Sequence, residues 1–365
     1  MGKKGKKKGK KKGGAGAAAA PGAAASGVLR LVKNIRTALL SCGDARGFPQ
    51  LLVVQAATDA LRAAQVVPSA GGVGAAAGVA AGGDGASLGD RLATFSGWLR
   101  ENGMDTSRFT FGPCGDAGNG VMAVLPVAAG DVVAAVPRAL MLAALPGAAG
   151  AAAEGAGCPS LVAFWRALQD NPLLQSNGSV ALALRLLVER ARGGESFFKP
   201  YLDILPAHFS VSLYMDPAAE LAQLRDASSG ALPRCVKNVM ATAQLYAYLY
   251  ELNAGLDGAI LDPAEFTYDA FRWAMTIAST RQNMIPTSQQ EGGGAQLALI
   301  PVFDMFNHRP GGMRAGYEFD DGGNGPDHSG GAGAGAGSGA GAKRASHVQP
   351  VQVDGQGQVW HAGPW

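Results

Sequence analysis

The stretch Phe271–Tyr317, FRWAMTIASTRQNMIPTSQQEGGGAQLALIPVFDMFNHRPGGMRAGY, decides how the rest of the chain is read. Its apolar, strand-like run Leu297–Phe303 opens into a polar cluster of Asp304, Asn307 and His308, and a second cluster, Arg281, Gln282 and Asn283, lies just upstream. A core strand that ends in Asp-x-x-Asn-His sets hydrogen-bonding groups where the chain leaves the sheet. Binding sites concentrate at such places.

Outward from this stretch, composition marks what is domain material. Glycine accounts for 54 of 365 residues and gathers with alanine in residues 13–26, 69–87 and 322–342. These stretches hold too little apolar bulk to offset their ordering entropy and are expected to be disordered linkers or tails. The expected organisation is a basic low-complexity tail (1–26), a helical segment (27–66), a Gly/Ala linker (67–87), a main domain (88–320) with a helical insertion at about 155–262, and a low-complexity end (321–365). The main span is ample for a sizeable core.

The N-terminal MGKKGKKKGKKKGG holds eight lysines and no acid, and without them the net charge of +3 becomes −5. The positive balance is therefore local. A solvated tail, a nuclear-import signal and non-specific electrostatic contact with RNA or acidic proteins all fit such a run. No signal-peptide h-region and no uninterrupted apolar run long enough for a bilayer is present, so no membrane association is expected. Cys42, Cys114, Cys158 and Cys235 show no C-x-x-C spacing, so neither a disulfide framework nor a zinc site is indicated. Together these features fit a cytoplasmic chain, with the nucleus as a second location. The scattered histidines form no metal spacing, and motifs for nucleotide hydrolysis, zinc proteolysis and α/β-hydrolase chemistry are missing.

Periodicity predicts helices over 27–41 and 51–65, and a further helix from an N-cap at Ser87 to about Gly103 with Leu92, Phe95 and Trp98 on one face. Residues 109–142 alternate apolar runs with glycine and read as hairpins and small strands. Segments between 159 and 260 (LVAFWRALQ, ALALRLLVERA, AELAQL, VKNVMATAQLYAYLYELNAG) read as helices, with an aromatic, proline-punctuated, extended connector, Ser196–Met215, packed on them. The closing QPVQVDGQGQVWHAGPW offers at most one strand. Trp273, Tyr246, Tyr248 and Tyr250 sit at helical spacing, which favours packing over a ligand cage.

Thr280–Pro286 (TRQNMIP) followed by LALIPVFDMFNH resembles the SET-domain protein methyltransferases, in the branch holding the actin-histidine N-methyltransferases and, more distantly, the Rubisco large-subunit lysine methyltransferases. Gly118-Asn119-Gly120, Gly130-Asp131, a strand ending at Val136-Pro137, and the F-x-x-P-Y-x-x-x-L-P pattern of residues 197–206 fit the family's order. The resemblance implies an α+β fold: a SET core of small curved sheets interrupted by a helical insertion. It implies S-adenosyl-L-methionine as cofactor, a protein substrate, actin, and a monomeric enzyme. Alternatives are a lysine methyltransferase of the Rubisco-enzyme type and a catalytically dead SET module acting in binding.

The resemblance also assigns residues. Gly118 and Gly120 would let the backbone approach the cofactor without Cβ atoms in the way. Asp304, Met305, Phe306, Asn307 and His308 would form its second wall, and Arg281 would offer paired donors to its carboxylate. Asn283 would hold the target imidazole through one ring nitrogen while the other attacks the methyl group, and Phe303 would line the substrate pocket. No metal is implied. Three departures stand out: Met122 occupies a place where the family often has a basic residue, Phe303 lacks an indole donor, and no clear match to the family's closing tyrosine block is found. The chain is accordingly expected to be C-terminally incomplete relative to the family.

Overall fold

The computed structural model describes residues 21–45, 47–65, 86–115, 118–128, 131–145, 155–217, 219–256, 258–287, 294–307, 351–353 and 359–361. The lysine-rich start, most of the first Gly/Ala linker, Gly130, His308, Tyr317 and residues 322–342 lie outside the described residues. Ten helices and seven short strands in the described residues make the fold α+β.

Helices α1 (Pro21–Ser41) and α2 (Phe48–Gln65) form an antiparallel pair. The first begins inside the stretch read as a tail, because Pro21 suits the first helical position and the alanines after it are strong helix formers. Val32, Ile35, Leu51, Val54 and Leu61 are buried in their seam and against α9 (Leu232–Gly255). Helix α3 (Leu88–Glu101) starts at a capping box in which Ser87 and Asp90 satisfy each other's backbone donors, and it buries Leu92, Phe95, Trp98 and Leu99. Gly103, at φ +85°, follows its end in the left-handed region that glycine adopts at least expense.

Strands β1 (Phe109–Pro113) and β2 (Asn119–Ala123) pair as an antiparallel hairpin with Gly112 opposite Gly120. The expected strand ending at Val136-Pro137 does not form: residues 131–137 have no ladder partner among the described residues, and Val132 is exposed. A 3-10 turn at Arg138–Leu140 leads instead into β3 (Leu142–Ala143).

The helical insertion runs through α4 (Pro159–Asp170), α5 (Pro172–Ser176), α6 (Gly178–Ala191), α7 (Lys199–Leu202), α8 (Glu220–Asp226) and α9. Helix α6 is buried nearly all round, with Arg185 and Glu189 inside it. Glu189 accepts from Arg185 on one oxygen and from Arg192 and Ser196 on the other, so both charges are neutralised within one cluster. Helix α10 (Tyr268–Arg281), where the sequence reading placed Trp273 at helical spacing, packs along α6.

From α10 the chain passes directly into β4 (Gln282–Thr287), which pairs antiparallel with β5 (Gly294–Leu299); β3 flanks β5 on its other side. β5 stops at Leu299, earlier than the apolar run suggested. Pro301 lacks an amide hydrogen, and Val302 takes φ +75°, ψ −48°, a strained conformation for a β-branched residue. A 3-10 turn at Phe303–Met305 follows. Where one closing strand at most was expected, two short ones pair: β6 (Val351–Val353) and β7 (Val359–His361), the latter against β2. No described helix is long and apolar enough to cross a membrane.

Ser87→Ala removes half of the α3 capping box, so thermal unfolding of this variant is expected to show a loss of about 1 kcal/mol. An unchanged midpoint would show that α3 is held by packing alone.

Candidate functional site

The antiparallel β4–β5 register sets Gln282 opposite Leu299 and Asn283 opposite Ala298. The end of α10 therefore meets the turn that follows β5, although some twenty residues of chain separate them. Arg281 Nη1 donates to the backbone oxygen of Asp304 at 2.8 Å and to its Oδ2 at 3.2 Å. Tyr201 on α7 donates its hydroxyl to the same Oδ2 at 2.6 Å. The Asp304 side chain is fully buried, while Arg281 keeps 24% exposure. Sequence reasoning gave Arg281 to a ligand carboxylate, but one of its nitrogens is committed to Asp304.

Burial pushes the Asp304 carboxyl above its ordinary range, and Arg281, then the Tyr201 and Arg281 hydrogen bonds, oppose that shift. Burial first, and Asp304 second, push the Tyr201 phenol far up, so Tyr201 acts as a neutral donor. Asp304 Oδ1 has no partner among the described residues although it is buried. An acceptor in that condition is costly unless a donor arrives from elsewhere.

Asn307 closes the same turn, and the structure brings it against Gly120. A Cβ built on Gly120 would stand 2.4 Å from Asn307 Nδ2 and 2.8 Å from Cys114 Sγ, so only glycine permits this contact. Asn307 Nδ2 is buried and also lacks a partner among the described residues. Gly118 serves differently: at φ +77° it turns the hairpin, and its carbonyl accepts from Cys114 N at 2.6 Å. Of the two sequence-predicted glycines, Gly120 meets Asn307, while Gly118 has no atom within 4 Å of where its Cβ would stand.

Met305 and Phe306 are buried in the core, so any ligand contact from them would come from their backbone. Phe303 is half-buried and meets Phe306 edge-on at 5.7 Å. Asn283 is half-buried on β4 and donates Nδ2 to Arg281 O at 3.1 Å. Because a carbonyl can only accept, this bond fixes which end of the carboxamide is nitrogen, and Oδ1 is the acceptor end. His308 lies outside the described residues.

Sequence reasoning missed Tyr201. It sits within the F-x-x-P-Y pattern already recognised, yet nothing in the sequence pairs it with a residue 103 positions away. The aromatic residues of α9 and α10 are structural. Tyr246 donates to Phe266 O, Trp273 Nε1 donates to Pro206 O, Tyr250 stacks on Phe266, and Tyr248 accepts from Asn171. An open groove between α1 and α9, lined by Leu29, Lys33, Thr37 and Leu40 and crossed by the Arg36–Glu251 pair, includes none of the candidate site residues. No group of three or more metal-ligating side chains occurs among the described residues.

No protein-family model matches the chain. Over 226 residues, 61% of the chain, it is 34% identical to the actin-histidine N-methyltransferases of Gallus gallus and Homo sapiens. It spans about a third of their length, 35%. Similar solved structures include Rubisco LSMT bound to AdoMet, at TM-score 0.41 and 23% identity, and the SET domain of LSMT bound to lysine and AdoHcy, at TM-score 0.46 and 22% identity; each match covers 60% of this chain and 45% of that one.

The two glycines are expected to respond differently to alanine. Gly118→Ala meets no atom within 4 Å but must hold a positive φ, a strain of about 1 to 2 kcal/mol. Gly120→Ala must displace Asn307 and Cys114, and is expected to lose more, about 1 to 3 kcal/mol, together with the native side-chain amide resonances of Asn307. Equal losses in urea unfolding, with Asn307 unmoved, would contradict the packing described.

A second expectation concerns pH. Because the folded state holds the Asp304 proton more tightly than the unfolded chain, stability owed to this group falls as pH rises from about 3.8 through the raised folded value, then levels off. Asp304→Asn removes that dependence and should gain on the wild type across this window in urea titrations. A constant difference at every pH would show that the carboxyl is not raised.

Proposed function

We propose that this chain carries the cofactor- and substrate-binding core of an S-adenosyl-L-methionine-dependent protein-histidine N-methyltransferase whose substrate is actin, built as a SET domain. Sequence homology to enzymes of that name supports the reading, and one observation in the chain itself carries it. Gly120 packs against Asn307, and the same wall holds two buried polar atoms without partners among the described residues, Asn307 Nδ2 and Asp304 Oδ1.

These residues fit the cofactor's chemistry. The space beside Gly120 is filled by Asn307 and Cys114, so the missing Cβ seats Asn307 instead of opening the strand to a ligand. Asn307 supplies a donor, Asp304 Oδ1 supplies an acceptor for an ammonium group, and the remaining guanidinium donors of Arg281 suit a carboxylate. When bound, S-adenosyl-L-methionine would supply an electrophilic methyl group on a sulfonium. The chain's own work is then alignment and electrostatics.

Asn283 separates a histidine substrate from a lysine. Its carboxamide nitrogen is tied to Arg281 O, so its free oxygen can accept the N–H of a neutral imidazole and aim the other ring nitrogen's lone pair. An imidazole, with a pKa of about 6.5, is largely neutral at pH 7 and requires orientation more than deprotonation, unlike a lysine near 10.4. Phe303, next to Asp304, would supply an apolar wall. Cytoplasmic residence, with the nucleus as a second location, belongs to the same proposal, and the partner is a protein substrate.

The test is methyl transfer from labelled S-adenosyl-L-methionine to actin and to Rubisco large subunit, with the modified residue located by mass spectrometry. Label on an actin histidine is expected, and label on lysine would favour the rival nucleophile. Asn283→Phe should lower kcat/KM on a histidine peptide by about ten- to a hundredfold, the loss of one hydrogen bond of about 1 to 3 kcal/mol, and leave cofactor affinity unchanged. An unaltered rate would remove Asn283 from the mechanism.

A further inference from the structure

The functional reading leaves Tyr201 without a role. It is fully buried, 0% exposed, although it carries a hydroxyl, and that hydroxyl makes a short hydrogen bond, 2.6 Å to Asp304 Oδ2. Its ring packs against Phe95 of α3 at 6.2 Å, so the phenol cannot swing away without opening the core. Upstream, the segment that delivers it is pinned. Ser196 Oγ donates to the buried Glu189 at 2.8 Å and accepts from Phe198 N at 3.2 Å, and Tyr201 follows within one turn. The insertion thus delivers a pinned donor to Asp304.

We propose that Tyr201 is a positioning residue of the candidate cofactor site: its hydroxyl fixes the Asp304 carboxylate against Arg281, which leaves Oδ1 as the acceptor presented to the ligand. The assignment rests on the cofactor reading above. Arg281 from α10 and Tyr201 from α7 are the charged and titratable groups that face Asp304 among the described residues. With the phenol in place, Oδ2 has two donors and Oδ1 has none among these residues. Without it, Oδ2 keeps only the 3.2 Å contact to Arg281, and the carboxylate is free to rotate or to take up a proton. A protonated Asp304 neither holds Arg281 as an ion pair nor accepts from a cationic ligand group as strongly.

The experiment uses the full chain and S-adenosylhomocysteine, an unreactive probe, titrated by calorimetry from pH 5 to 9. Four forms are compared: wild type, Tyr201→Phe, Asp304→Asn and the double variant. In parallel, the Asp304 carboxyl is titrated by carbon-13 NMR without ligand in the wild type and in Tyr201→Phe. The phenylalanine variant is expected to bind about tenfold more weakly at pH 7. Its affinity should fall at a higher pH than that of the wild type, its Asp304 carboxyl should titrate higher, and Tyr201→Phe should cause no further loss when added to Asp304→Asn. Equal loss at every pH, or equal loss in the Asp304→Asn background, would reduce Tyr201 to a packing residue and overturn the assignment. So would an unmoved Asp304 titration.

Should Tyr201→Phe fail to fold, 3-fluorotyrosine at position 201 keeps the ring's shape and makes the phenol a stronger donor. The Asp304 titration must then move down, and no movement overturns the proposal. Wild-type protein that does not bind S-adenosylhomocysteine would overturn the cofactor reading and the ligand role of Tyr201 with it. The NMR titration reports the Tyr201–Asp304 coupling separately, so the two failures are told apart.

Discussion

One buried carboxylate ties the parts of this chain together. Asp304 takes a hydrogen bond from Tyr201 in the helical insertion and from Arg281 at the end of α10, and it sits on the turn that ends β5. Each contact joins elements distant in sequence. A fully buried carboxylate with a single partner would be strongly unfavourable, and Asp304 has donors from two helices and still keeps one oxygen unpaired among the described residues. The insertion is thereby anchored to the sheet at the place where chemistry is proposed.

The sheets could not hold this arrangement unaided. The three-stranded β3-β5-β4 sheet and the β1–β2 hairpin are short, and two- and three-stranded units of this size are marginal without a packed face. Their support is the helical layer. α10 packs along the almost wholly buried α6, and α6 lies against β5 and β3. Gly178, at the start of α6, meets Leu297 of β5 so closely that a Cβ there would stand 3.1 Å from Leu297 Cδ1. The strained Val302 is fully buried, so its backbone is held by packing on every side, the condition under which such conformations persist.

Much of this was legible in the sequence where the signal was local. The α3 N-cap at Ser87, the longer helices of the insertion and the β1–β2 hairpin follow from caps, periodicity and glycine placement. Motif order assigned Gly120 and Asn307 to two walls of one site, but their direct contact is set by the fold, since no local pattern places residues so far apart in the chain in contact. What escaped was set by tertiary context. Tyr201 looked like one aromatic among several in a connector, because a hydrogen bond across 103 positions leaves no periodic trace. The end of β5 at Leu299 was hidden because Ile300, Pro301 and Val302 continue the apolar run, and the proline's missing donor is the only hint of a turn. The extended 131–137 segment failed as a strand because hydrophobic alternation cannot tell whether a ladder partner is at hand.

The unpaired atoms give the site its direction. Asp304 Oδ1 and Asn307 Nδ2 are an acceptor and a donor, buried and without partners among the described residues, and both lie on the one turn after β5. Each stands to lose about 1 to 3 kcal/mol in that state. A protein with only stability to maintain would gain by pairing them with each other or by replacing them with apolar groups of the same shape. The arrangement instead commits Tyr201 and Arg281 to Oδ2, keeps Gly120 without a Cβ so that Asn307 stays close, and leaves the two remaining polar atoms for something that arrives. A ligand that met both would gain affinity from an ordering already accomplished by folding, and would stabilise the folded chain in proportion to its own binding.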